Sequence, residues 1–249
     1  MISVCIATFN GEDYIKEQLH SILAQIAAYD EVVVCDDGSS DATLSIINNF
    51  NDARIRVFKN LVRLGYVGNF EKALKLSVGD YIFLSDQDDI WLPGRVVEMI
   101  SSLNASSKSL LVASNFDLID EAGAATGKFR ELNPVFRFGI VNIILIFLGQ
   151  MPYYGCTFLL KRKILDYCLP IPVGIESHDI WIALIANLFG GVVNIPGATL
   201  QHRIHSRNVT EKNRRRLLVV LKSRAQFFTA LLLRFFKIRL KPFVDFYVE

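Results

Sequence analysis

Short apolar runs and amphipathic stretches alternate along the first 90 residues. Residues 2–7 are an apolar run that predicts a strand. After the turn Thr8-Phe9-Asn10-Gly11, residues 12–28 carry Tyr14, Ile15, Leu19, Ile22, Leu23 and Ile26 at helical spacing. Residues 31–35 are apolar after Glu31, as in a strand covered on both faces. A helix over 42–50, a strand over 54–58, a helix over 69–77 and a strand over 81–84 follow. Such strict succession predicts an α/β fold with a mostly parallel, doubly wound sheet flanked by helices.

The second half is less regular. A strand over 110–114 precedes a polar loop over 115–127, and the apolar run 129–151 fits either a buried or an interfacial helix. Residues 155–160 read as a strand, Pro170-Ile171-Pro172 breaks the chain, and 180–189 form an apolar helix. Beyond residue 210, a basic cluster over 212–216 leads into Leu217, Leu221, Phe228, Leu232 and Phe235 at helical spacing, interleaved with Arg224, Arg234, Lys237, Arg239 and Lys241. The expected organisation is one domain over 1–210, with halves 1–120 and 121–210, and a basic amphipathic helical tail over 211–249.

Charge sharpens that division. Residues 203–241 hold twelve Lys or Arg and one acid, Glu211. That is +11 against a total of +2, so the rest of the chain carries −9. An acidic body with a cationic, aromatic-rich tail suits chemistry in the body and attraction of the tail to an anionic membrane face. A helix packed on the body or on a partner, with a basic rim, is the plainer reading of the tail. No zinc-finger spacing or RNA-binding run supports nucleic acid as a partner. Mean hydropathy is high at +0.32, yet 138–151 is too short to span a bilayer and 217–238 is broken by Lys222, Arg224 and Arg234. No signal peptide is expected at the start, and the four cysteines have no metal or disulfide spacing. Both features point to the cytoplasm.

Two acidic clusters carry the candidate chemistry. Asp86, Asp88 and Asp89 lie within Asp86-Gln87-Asp88-Asp89-Ile90-Trp91, just past the fourth strand. Clustered carboxylates there supply hard oxygen ligands at the edge where open α/β sheets bind ligands. The plainer reading is a turn that caps the helix beginning near Leu92-Pro93, a role that suits Asp89. Asp36-Asp37 likewise ends the second strand. Ser39, Ser40 or Asp41 can cap the next helix, which leaves Asp36 and Asp37 to accept hydrogen bonds from a base or a ribose. No GxGxxG follows the first strand, and Gly65-Tyr66-Val67-Gly68 lacks the Lys of a phosphate-binding loop, so it reads as a plain glycine-containing loop.

Val4-Cys5-Ile6-Ala7-Thr8-Phe9-Asn10, Cys35-Asp36-Asp37-Gly38-Ser39, residues 65–69 and Asp86-Gln87-Asp88-Asp89 together resemble the family 2 glycosyltransferases of GT-A fold. The Asp-Gln-Asp-Asp-Ile-Trp form is similar to bacterial rhamnosyltransferase-like members that build surface polysaccharides. The resemblance implies a nucleotide-sugar half, an acceptor half, and an inverting transfer from a dTDP- or UDP-sugar to a glycan or lipid-linked oligosaccharide. It implies that Thr8, Phe9, Asn10, Asp36, Asp37 and Asp86 bind the nucleotide. Asp88, with His205, would hold a Mg or Mn cation. His178-Asp179-Ile180-Trp181 matches the place of the general base, which carries over to Asp179, with His178 and Trp181 toward the acceptor. From the residues alone, Asp179 is a helix cap and Trp181 a core indole as readily. Arg203 and Arg207, in a stretch that resembles the closing loop, would neutralise phosphate, although His202 stands where Tyr is usual and Ser206 and Arg207 replace glycines. A peripheral position on the inner face of the cell membrane and a homo-oligomer complete these expectations. A sugar nucleotidyltransferase and a non-catalytic sugar-nucleotide-binding component are the alternatives.

Overall fold

The computed structural model describes residues 1–127, 139–206, 208 and 217–244. In chain order it contains β1 (Ile2–Thr8), α1 (Ile15–Leu23), β2 (Glu31–Asp36), α2 (Thr43–Asn48), β3 (Ile55–Lys59) and α3 (Gly65–Leu76). Next come β4 (Tyr81–Ser85), β5 (Ile90–Trp91), α4 (Arg95–Asn104), β6 (Leu111–Ile119), β7 (Ala125–Gly127) and α5 (Gly139–Phe147). β8 (Phe158–Lys161), α6 (Leu165–Cys168), α7 (His178–Phe189), β9 (Val192–Arg203) and α8 (Leu217–Val244) complete it.

The strands form one sheet in the order β3-β2-β1-β4-β8-β6-β9-β5, with β7 beside β6. β5, β7 and β8 run against the rest. The remaining strands end at one edge, where Thr8 is level with Asp36 and Ile119 with Arg203. Alternating side chains feed two cores. Val4, Ile6, Val32, Val34 and Phe83 pack on the face covered by α1, α2 and α4. Cys5, Val33, Cys35, Ile82 and Leu84 pack on the face covered by α3, α5, α7 and part of α8. The four cysteines are buried and free.

Several boundaries differ from the sequence pattern. α3 begins at Gly65, four residues early, so the glycine-containing stretch is the first turn of a helix. Its start is fixed by a distant acid: Asp37 accepts from the backbone N–H groups of Leu64 (2.7 Å) and Gly65 (2.8 Å). That cap offsets the low helix propensity of glycine. β6 runs on to Ile119, through residues whose polarity suggested a loop, because β9 pairs with it along that length.

α8 is docked along one face. Phe227 and Leu231 reach the core, and Arg234 donates to the carbonyls of Tyr167 (2.7 Å), Leu169 (2.9 Å) and Pro170 (2.5 Å). Leu217, Leu221, Phe228 and Leu232 point outward instead. Most of the stripe seen in the sequence is therefore the exposed face. No helix among the described residues is long and apolar enough to cross a membrane.

Candidate active site

The shared strand edge opens into a cleft of about 1030 Å3. Thr8, Phe9, Asn10, Asp37, Asp86, Asp88, His178, Asp179 and His205 all line it. Residues separated by up to 197 positions thus meet because parallel strands deliver their last residues to one side.

The acidic loop is held by its neighbours. Gln87 clamps the turn after β1, accepting from Phe9 N–H (3.0 Å) and donating to the Phe9 carbonyl (3.2 Å). A Cβ at Gly11 would collide with the Gln87 amide, so a side chain there would displace this clamp. The Asp88 carboxylate lies 2.7 Å from His205 Nε2, and the His205 ring stacks on Tyr14. Burial first, and then the carboxylates of Asp89 and Asp88, push Asp86 well above the usual carboxylate range.

Asp88 supplies the carboxylate oxygen that Mg and Mn prefer, and the His205 imidazole bonded to it is a second donor within reach. The acid-rich surroundings that raise Asp86 are what a divalent cation would relieve, so the residues present fit such an ion. Behind them, ligand-type atoms of Asp86, Asp89, Cys156 and His202 lie within 4.8 Å of one another. Here Asp89 Oδ1 bonds His202 Nδ1 at 2.8 Å, burial pushes the Cys156 thiol up, and neither Asp89 nor Cys156 lines the cleft. Burial opposes protonation of His202, yet Asp89 outweighs it and lifts the ring to about 9. Asp89 does not cap α4, whose N-cap is Gly94.

At the ends of β1 and β2, Asp37 also accepts from Asn60 Nδ2 (2.9 Å) and faces Arg63 (3.8 Å). The Arg63 guanidinium lies 3.8 Å from the centre of the Phe9 ring. Asp36 is corrected here. Its fully buried carboxylate accepts from Thr8 Oγ1 (3.1 Å) and from the N–H groups of Gly38 (3.1 Å) and Ser39 (2.9 Å), so it builds the turn and does not face the cleft.

Across the cleft, α7 begins at its N-cap Ser177, whose Oγ accepts from Ile180 N–H (3.3 Å) and donates to Asp179 Oδ1. Asp179 Oδ1 also accepts from Ile180 N–H (2.8 Å), while no described residue bonds Oδ2. His178 stacks on Phe70 at 4.2 Å, and neither ring nitrogen has a partner among the described residues. Burial holds its pKa below the usual value, which makes it a neutral imidazole. A Cβ at Gly155 would sit 2.8 Å from His178 Nε2, so a side chain there would fill this part of the cleft.

Two further expectations fail. Trp181 is fully buried, donates from Nε1 to the Cys168 carbonyl (2.8 Å) and lies under Arg234, so it is a core indole and stacks on no sugar. Arg203 is 3 % exposed and spends its donors on the carbonyls of Asp88 (3.0 Å), Asp120 (3.3 Å) and Glu121 (3.0 Å) and on Glu17 (2.6 Å). It braces the acidic loop and has nothing left for phosphate. Arg207 lies outside the described residues.

The family model for glycosyl transferase family 2 matches residues 3–169. The chain belongs to that family. It is a glycosyltransferase with a GT-A fold. It is 27% identical over 212 residues to an Escherichia coli protein, the UDP-Glc:alpha-D-GlcNAc-diphosphoundecaprenol beta-1,3-glucosyltransferase WfgD, a match spanning 84% of this chain and 79% of that protein. Among solved structures, S. aureus TarS 1-349 in complex with UDP-GlcNAc superposes with a TM-score of 0.69 at 18% identity, covering 100% of this chain and 76% of that one. Mannosyltransferase PcManGT from Pyrobaculum calidifontis, in complex with GDP-Man and Mn2+, gives 0.62 at 20% identity, with 83% and 57% covered.

Four residues that shape this glycosyltransferase's cleft escaped the sequence reading. Gln87 and Tyr14 act across the sheet edge, and no local pattern announces such contacts. Arg63 sits in an ordinary basic loop. His202 did carry a signal, since it replaces the family's usual Tyr, and its role is to neutralise Asp89.

Proposed function

We propose that this glycosyltransferase moves a sugar from a uridine diphosphate donor to a hydroxyl of a lipid-linked glycan, inverting the anomeric carbon. The observation that carries this reading is the position of Asp179: one oxygen is anchored, and the carboxylate faces the same cleft as Asp88 and His205. Asp37, with Phe9 and Arg63 beside it, would hold the nucleoside, aided by Thr8 and Asn10, and Asp86 would lie toward the ribose and phosphates. A Mg or Mn ion held by Asp88 and His205 would neutralise the departing diphosphate as a Lewis acid. Asp179 Oδ2 takes the proton of the acceptor hydroxyl as its oxygen attacks C1 from the face opposite the leaving group. The C1–O bond to phosphate breaks and the diphosphate leaves with the electron pair. His178, neutral and unpartnered, would bond a sugar hydroxyl beside Asp179.

The choice of donor and acceptor draws on the relatives. The E. coli relative's name gives UDP-glucose and a diphosphate-linked lipid, which favours UDP-glucose over the rhamnosyl donor suggested by Asp-Gln-Asp-Asp-Ile-Trp. We assign residues 1–210 to the catalytic domain and the outward face of the tail helix to membrane docking. The outward stripe of α8 and the exposed Ile140, Ile144 and Leu148 of α5 support a peripheral position on an anionic membrane face.

A thermal-shift panel of UDP-glucose, UDP-GlcNAc and dTDP-rhamnose, each with and without Mn2+, tests the assignment. At about 100 times Kd a bound donor adds roughly 3 kcal/mol, or about 6–12 °C. Stabilisation by a UDP-sugar is expected only with metal, and Asp88→Ala should abolish it. Equal shifts with and without metal would remove the metal from the account.

A further inference from the structure

One wall of the cleft is left over by the transfer chemistry. α5 and α8 build it, with Ile146, Phe147, Val220 and Phe227 as its apolar lining and Arg224 set among them. Arg224 is half-buried, and among the described residues its guanidinium has no hydrogen-bond or ion-pair partner. By contrast Arg54, Arg203 and Arg234 all have their donors engaged. The absence of a side chain at Gly149 leaves Arg224 room: a Cβ there would sit 3.3 Å from Nη2. The helix is fixed where it carries this residue. Ser223 Oγ donates to Glu176 Oε1 (2.6 Å), which sets the wall beside the segment that bears Asp179, and Phe227 is buried below. Outward, the lining continues into the exposed Ile144, Leu148, Leu217 and Leu221, and the Phe147–Phe228 ring contact joins the two helices.

We propose that this wall is the subsite for the lipid carrier of the acceptor: Arg224 binds the diphosphate between acceptor sugar and lipid, and the α5–α8 seam takes the first part of the hydrocarbon chain. The inference rests on the lipid-linked reading given above. A partly solvated guanidinium with no bonded partner among the described residues, set in an apolar wall, is free to take up an anion at little cost in existing bonds. A guanidinium fork matches paired phosphate oxygens better than an ammonium does. The adjoining apolar seam gains free energy by covering hydrocarbon and loses it by facing water. A free nucleotide diphosphate would use the charge but not the seam, so the two phosphate sources separate by experiment.

Full-length wild type, Arg224→Gln and Arg224→Lys are compared on two acceptors: a polyprenyl-diphosphate-linked N-acetylglucosamine, and a neutral alkyl glycoside of the same sugar. Donor KM and donor hydrolysis are measured alongside, with thermal unfolding as a check on folding. Loss of charge-assisted contacts predicts a KM for the diphosphate acceptor about 10- to 100-fold higher in Arg224→Gln, a smaller rise in Arg224→Lys, and kcat within about twofold. The neutral acceptor and the donor should show no such rise. An equal loss on both acceptors, a raised donor KM, or no change at all would overturn the subsite while leaving lipid-linked transfer standing. A wild type that transfers to the neutral glycoside but to no diphosphate-linked lipid would overturn the acceptor reading, and the subsite with it.

Discussion

Replacing Arg203 by Lys separates a brace from a phosphate ligand. The guanidinium makes three bonds to backbone carbonyls and one to Glu17, at 3 % exposure. A lysine has one nitrogen and can keep one or two of these bonds. Each lost bond from a charged donor costs about 1.5 kcal/mol, the low end for charged groups because the Asp120 and Glu121 carbonyls are only partly buried. The Glu17 contact adds less than about 1 kcal/mol, because Glu17 is 58 % exposed and solvent screens it. The total is about 3 kcal/mol, which in a chain of this size lowers Tm by roughly 6–12 °C. Since Arg203 Nε holds the Asp88 carbonyl, metal-dependent donor binding should weaken along with stability. Differential scanning fluorimetry and Mn2+ titration of donor binding read both effects. A variant with wild-type Tm and only a raised donor KM would return Arg203 to the phosphates and refute the brace.

Other outcomes follow from the same geometry. Asp179→Asn keeps the α7 cap through Ser177 but removes the base, so kcat should fall by about 10^3-fold or more while metal-dependent donor binding stays within about twofold; undiminished turnover would sink the base assignment. Changing the outward Leu221 and Leu232 of α8 to Glu should weaken sedimentation with anionic vesicles at least tenfold without altering Tm, and unchanged sedimentation would count against docking through this face. In metal-free protein, the rise of His202 from 6.5 to about 9 corresponds to about 3 kcal/mol. Because the folded pKa is the higher one, that stability is fully present below pH 6.5 and is lost as pH rises through 9. Urea unfolding of wild type and His202→Gln should therefore converge toward alkaline pH; a constant gap would mean that His202 does not titrate in this range.

The early strands and the two acidic turns were legible because local signals specify them: continuous apolar runs, then acids. Helix α3 was misjudged because its cap comes from Asp37, 28 residues before Gly65. β6 looked like a loop because a polar composition does not reveal that β9 will pair with it. Roles were harder to read than positions. Asp36 and Asp37 are adjacent and alike in sequence, but one ties a turn and the other faces the cleft. Arg203 and Trp181 were given ligands because side-chain chemistry is visible in a sequence and burial is not. Along α8 the apolar repeat was real, but with apolar residues on more than one face the sequence could not tell which side would dock.

The central claim is inverting transfer across a cleft with Asp179 on the acceptor side. Proton NMR of the disaccharide formed from UDP-glucose tests it most directly, through the coupling of the new anomeric proton. The account predicts a β-linked product from the α-linked donor, formed by wild type and not by Asp179→Asn. An α-linked product would contradict it, since retention cannot arise from a single attack opposite the leaving group.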